Sequence, residues 1–125
     1  MKKWTVVYYE TASGQCPVEE FVDSRSINNK AKILSLFSLL EEKGPTLPRP
    51  YADLLKDGIH ELRIMLSGDQ VRVLYFFCYR NYIILTHAFN KKSQKVPENE
   101  IKKAIKCRKD YLNRVTESQL KGDIK

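Results

Sequence analysis

The chain is poor in the residues that build metal centres and disulfide frameworks. Its 125 residues hold three cysteines, Cys16, Cys78 and Cys107, and two histidines, His60 and His87. The cysteine number is odd, the spacings are wide and no C-x-x-C pair occurs, so neither a zinc knuckle nor a dithiol redox site is signalled. Free thiols in a reducing cytosol are the simplest reading. Two histidines are too few for a metal site, no Asp/Glu cluster looks like a two-metal nuclease, and no metal or cofactor is expected. Long apolar runs are also missing, which argues against a membrane-spanning helix. The positive opening MKKWTVVYYE has polar and charged residues where a signal peptide needs an unbroken apolar segment. A cytoplasmic protein without membrane contact is therefore expected. No internal repeat or second domain is visible. Residues 1–115 read as a single domain and residues 116–125 as a flexible C-terminal tail.

What the chain does have is positive charge. A formal net charge of +7 says nothing about fold, but it favours an anionic partner: nucleic acid, an acidic protein or an anionic membrane surface.

The segment KWTVVYYE, rich in β-branched and aromatic residues, predicts a strand. Pro17 opens a helix with Val18, Phe21 and Val22 on one stripe, and a second helix from Asn29 to Lys43 carries Ile33, Leu36, Phe37 and Leu40. Gly44-Pro45 stops it. PTLPRPYADLLKDG contains three of the five prolines and reads as irregular to about Ala52. Three strands follow, HELRIML, VRVLYFFCY and YIILTHAFN, joined at SGDQ and at RN as antiparallel hairpins. A final helix from near Pro97 carries Ile101, Ala104, Ile105, Leu112 and Val115. The expected fold class is α+β: N-terminal strand, helical hairpin, three-stranded antiparallel meander and C-terminal helix.

Strand pairing turns this order into a site. With Leu66 opposite Val71, one face carries Leu62, Ile64, Leu66, Val71, Val73 and Tyr75 and is a core face. The other carries Glu61, Arg63, Met65, Arg72, Leu74 and Phe76. With Tyr79 opposite Tyr82, Thr86 and Ala88 join the core face, whereas Leu85, His87 and Phe89 join Arg63 and Arg72, and Arg72 faces Phe89. The last helix is the lid for this second face, and Lys91, Lys92 and Lys95 stand just past the strand end, at the mouth of one concavity.

Each residue also has a plainer role. Arg63 is a partner for Glu61 or Asp69 on a solvated face. Arg72, in an apolar strand, is either paired with a carboxylate or open to an anion, because an unpaired buried guanidinium is costly. His87 alone reads as a neutral, hydrogen-bonded, half-buried histidine, Phe89 as a core plug and the three lysines as a solvated basic loop. Converging on one point, the cations suit a phosphate and the extra charge it gains on becoming five-coordinate. RNA brings its own nucleophile, the 2′-hydroxyl, so a metal-free cleavage needs only alignment, charge stabilisation and proton transfer. His87 or a lysine is a candidate proton carrier.

DGIHELRIMLSGDQVRVLYFF followed by ILTHAFNKKSQKVPENEIKKA resembles the RelE/ParE superfamily of bacterial toxins, and most of all its phage-derived Gp49-like, HigB-type branch. The matches are Glu61-Leu62-Arg63, Arg72-Val73, His87, Phe89, Lys91-Lys92, Ser93, Lys95 and Pro97. His60 and Gln70 depart from it, standing where the family usually has an aromatic and a tyrosine, with consequences expected for the grip on RNA bases. The resemblance implies a RelE-like fold and a type II toxin that cleaves messenger RNA in the ribosomal A site, close to ribosomal RNA, without metal. It makes Arg63, Arg72, Lys92 and His87 the catalytic set and Lys91, Lys95 and Phe89 the RNA-binding residues. It also implies a helix-turn-helix antitoxin as partner, with operator DNA bound only through that antitoxin. Two other readings keep the fold: a ParE-like gyrase inhibitor, and a nonenzymatic basic module acting as the antitoxin's corepressor.

Overall fold

The computed structural model describes residues 2–122. Its strands are β1 (Thr5–Tyr8), β2 (Ala52–Lys56), β3 (Ile59–Leu66), β4 (Asp69–Cys78) and β5 (Tyr82–Asn90). Its helices are α1 (Pro17–Asp23), α2 (Ile27–Lys43), α3 (Glu98–Arg114) and α4 (Glu117–Lys121), with one 3-10 turn at Gly44–Thr46. The strands form one mixed sheet in the order β1-β5-β4-β3-β2, β1 parallel to β5 and all other pairs antiparallel. The α+β class stands. The order is corrected at two places: the meander has four strands rather than three, and a fourth helix occupies the stretch expected to be a tail.

Both additions have local causes. Asp57 and Gly58 take positive φ, +52° and +79°, and make a two-residue hairpin that turns ADLLK back onto β3. Thr116 caps α4 by accepting from the Gln119 N–H while the Gln119 side chain accepts from the Thr116 N–H, a capping box. Leu120 then packs on the core beneath α3. The last part of the expected tail, residues 123–125, lies outside the described residues.

The sheet separates two cores. On one face α1 and α2 cover Leu62, Ile64, Leu66, Val71, Val73 and Tyr75. On the other α3 covers Ile59, Leu74, Phe76 and Ile84 with Ile101, Ala104 and Tyr111. Leu112, expected on the buried stripe, is 42% exposed, and Tyr111 takes its place.

The registers decide which side chains meet. The β3–β4 turn is Ser67-Gly68, with Leu66 opposite Asp69 rather than Val71. A shift of two residues keeps every side chain on its face, and it sets Arg63 directly opposite Arg72. The β4–β5 turn begins one residue earlier than expected, with Cys78 opposite Tyr82. An irregularity between Leu74 and Tyr75 then restores the count, so Arg72 faces Phe89 and Leu74 faces His87. The extra residue is Thr86, whose hydroxyl donates to the Leu74 carbonyl at 3.1 Å. Below this bulge the alternation inverts. Leu85, expected beside Arg63 and Arg72, instead packs in the core under α1 and α2, and Ile84 lies under α3 in its place.

Candidate functional site

Arg63 and Arg72 project from neighbouring strands at one paired position, and a single carboxylate stands between them. Glu61 is 3% exposed. Its Oε2 accepts from Arg63 Nε at 3.1 Å and Nη2 at 2.9 Å. Its Oε1 lies 2.9 Å from Arg72 Nε in an off-line approach, a charge contact without hydrogen-bond alignment, and neither of these two buried atoms has another partner among the described residues. Arg72 Nη1 also donates to the Val71 carbonyl at 3.1 Å. Of the two roles open to Arg72, pairing with a carboxylate is the one adopted. Burial pushes its guanidinium below the usual arginine range, Glu61 pulls it back up and Arg63 adds a push down.

The network continues outward. Asp53 on β2 lies 3.5 Å from Arg63 Nη2 and 2.7 Å from Arg49 Nη2. Arg49, Asp53, Arg63, Glu61 and Arg72 thus alternate in sign, and the three cations exceed the two anions by one. Arg63 pairs with Glu61 as one of its plain readings had it, and with Asp53 in place of Asp69.

The lysines do not share one hollow with both arginines. Lys91 and Lys95 line a depression of about 340 Å³ with Arg63, Glu61, Lys56 and Glu98. Lys91 and Lys92 line a neighbouring one of about 700 Å³ with Asp69 and Gln70. Arg72 opens into a third, of about 330 Å³, again with Arg63. The expected single concavity is therefore a row of three, linked through Lys91 and Arg63. Lys91, Lys92 and Lys95 join none of the ion pairs among the described residues, although Lys56 and Glu98 bridge at 2.7 Å beside them. The Lys91 N–H donates to the Gln70 carbonyl at 2.7 Å, which holds the start of the basic loop to β4.

His87 sits behind this row. It is 2% exposed, with Nδ1 3.0 Å from Thr86 Oγ1 and Nε2 2.9 Å from Glu100 Oε1 in the first turn of α3. Burial pushes the imidazole below the usual histidine value against the pull of Glu100, and Lys103 adds to the push. Both ring nitrogens are engaged, and the contact with Glu100 ties α3 to the sheet. Half-buried Phe89 stacks on it at 5.6 Å between centroids and faces Arg72 across the ladder. His60 points to the other face of the sheet, stacked on Tyr75 at 5.2 Å, so its departure from an aromatic falls in that core. Gln70 does line the lysine depression.

Asp53, Lys56, Glu98 and Glu100 complete the site and were not singled out by sequence, whereas Glu61 was named there as a partner of Arg63. Glu61 had a legible signal: a carboxylate two residues before Arg63 shares its face of the strand. No group of three or more His, Cys, Asp or Glu capable of holding a metal occurs among the described residues, and no helix among them is long and apolar enough to cross a membrane.

A family model described as Phage derived protein Gp49-like (DUF891) matches residues 20–109, a span that contains every site residue named above. None of the curated proteins matches the chain.

Proposed function

The chain belongs to the phage-derived Gp49-like family, a RelE/HigB-type toxin family, and from this premise we propose that it is a toxin that cuts messenger RNA on the ribosome. The family supports a toxin with an antitoxin partner; the cleavage reading rests on the paired Arg63 and Arg72, which line two of the three cation-lined depressions in the row. In this reading the ribosome presents the message in the A site next to ribosomal RNA. The 2′-hydroxyl attacks the adjacent phosphorus in line, the 5′-oxygen leaves, and the products are a 2′,3′-cyclic phosphate (or 3′-phosphate) and a 5′-hydroxyl. Arg63 and Arg72 stabilise the charge on the five-coordinate phosphate, a role worth roughly 3–4 kcal/mol per donor in a water-excluding site. Lys91 and Lys95 hold the backbone, and Lys92 and His87 are the candidates to carry protons. Phe89 positions the substrate from its place opposite Arg72. No metal takes part in this scheme. The partner is a helix-turn-helix antitoxin, which alone brings the toxin to operator DNA, and the site of action is the cytoplasm.

The test is primer extension on total RNA after brief expression, with and without translating ribosomes. New 5′ ends that require translation support the reading; intact messages during growth arrest overturn it. Early DNA damage in place of lost protein synthesis would point instead to gyrase. The pairing of both guanidinium groups with Glu61 favours one second reading, a nonenzymatic basic module acting as corepressor. Under that reading Arg63→Ala leaves the phenotype unchanged.

A further inference from the structure

β2 pairs with β3 only as far as Ala52 opposite Leu62, so among the described residues the second half of β3, Arg63 to Leu66, has no strand on that side. Among the described residues only the Arg63 N–H is taken on that side, donating to the Tyr51 carbonyl at 2.7 Å. The space left is the 330 Å³ hollow lined by Lys32, Leu36, Tyr51 and Met65 with Arg63 and Arg72. Tyr51 is 44% exposed and Met65 56%. Exposed apolar side chains are ordinary when scattered; here an aromatic ring and a thioether meet in one hollow between three cations. Lys32 joins none of the ion pairs among the described residues.

That combination matches a nucleotide. A base offers a flat π-face to tyrosine whatever its identity, and its phosphates meet the cations. An added peptide strand is the poorer occupant, because one outward N–H of this short edge is already bonded. Arg63 lies in this hollow and in the Lys91–Lys95 hollow, so a polyanion centred on it extends into both.

We propose that this hollow is a nucleotide subsite: the base next to the phosphate at Arg63 stacks on Tyr51, Met65 closes over it, and Lys32 takes the following phosphate. The assignment rests on the RNA reading of Arg63 and extends it to a second, base-contacting position.

Titration of the isotope-labelled full chain, followed by NMR, tests it with three probes: adenosine 5′-monophosphate, ribose 5-phosphate and an alternating Glu-Leu peptide. The nucleotide is expected to shift the amides of Tyr51, Met65 and Lys32 and to bind on the order of tenfold tighter than the base-free sugar phosphate. Tyr51→Ala should remove that advantage and Tyr51→Phe should keep it. Equal binding of nucleotide and sugar phosphate overturns the subsite, and so do shifts at these amides with the peptide alone. Primer extension separates this from the broader reading. Cleavage with a base-indifferent hollow sinks only the subsite; a base-selective hollow without cleavage leaves the subsite standing and sinks the nuclease.

Discussion

A guanidinium as deep as Arg72, 8% exposed, needs a counter-charge, and Glu61 is the one in reach. Removing one member of such a pair typically costs about 3–5 kcal/mol, because the other is left buried and charged. Arg72→Ala should therefore lose activity and stability together, whereas Arg63→Ala, at a site 32% exposed, should abolish growth arrest with the fold retained. Circular dichroism beside the growth assay separates the two. Pairing Arg72→Gln with Glu61→Gln should recover most of the lost stability and none of the arrest. His60 supplies a second residue-scale prediction. Burial holds its imidazole below the ordinary histidine value, with Asp53 opposing. The unfolded chain then binds a proton that the folded chain resists, so stability is full above the unfolded value of about 6.5 and falls as pH drops toward the lower folded value. His87 is shifted the same way. His60→Phe, which keeps a ring against Tyr75 and Phe77, should stabilise more at about pH 5.5 than at about pH 8, read as denaturation midpoints.

At the scale of elements, glycine and the turns carry the information. Gly44 ends α2 at a φ of +52°, and a Cβ there would overlap the Trp4 indole. Left-handed strain of about 1 kcal/mol and overpacking of about 1–3 kcal/mol should make Gly44→Ala cost roughly 2–4 kcal/mol in chemical denaturation. This stop was legible, because Gly-Pro punctuates any helical pattern. Asp57-Gly58 is as strong a signal for a hairpin, yet β2 stayed hidden behind three prolines that end just before it. The capping box of α4 was legible in the same way, as Thr116 and Gln119 at the right spacing. The Thr86 bulge was not: ILTHAF runs in like pairs, apolar, polar and apolar again, which fixes no phase along the strand, and the hydroxyl on the Leu74 carbonyl marks where two half-strands of opposite phase meet. The facing of Arg72 and Phe89 was nonetheless read correctly, because the one extra residue in the β4–β5 turn and the one extra residue in the β5 bulge cancel.

For the whole molecule, the net charge of +7 attracts any polyanion, and what matters is whether binding is diffuse or localised. Lys91, Lys92 and Lys95 stand at one end of the row of depressions, whereas Lys102, Lys106 and Lys109 lie exposed on α3. Each lysine that no longer neutralises a phosphate should flatten the dependence of log affinity on log salt for single-stranded RNA by about 0.7. Replacing the first three by alanine is thus expected to lower the slope by about 2, and replacing the α3 three to change it far less, at identical net charge. The pair of triple variants separates a track from a field. An equal drop from both would mean that RNA is held by the overall charge, and Arg63 and Arg72 would then lie on no defined path for a scissile phosphate.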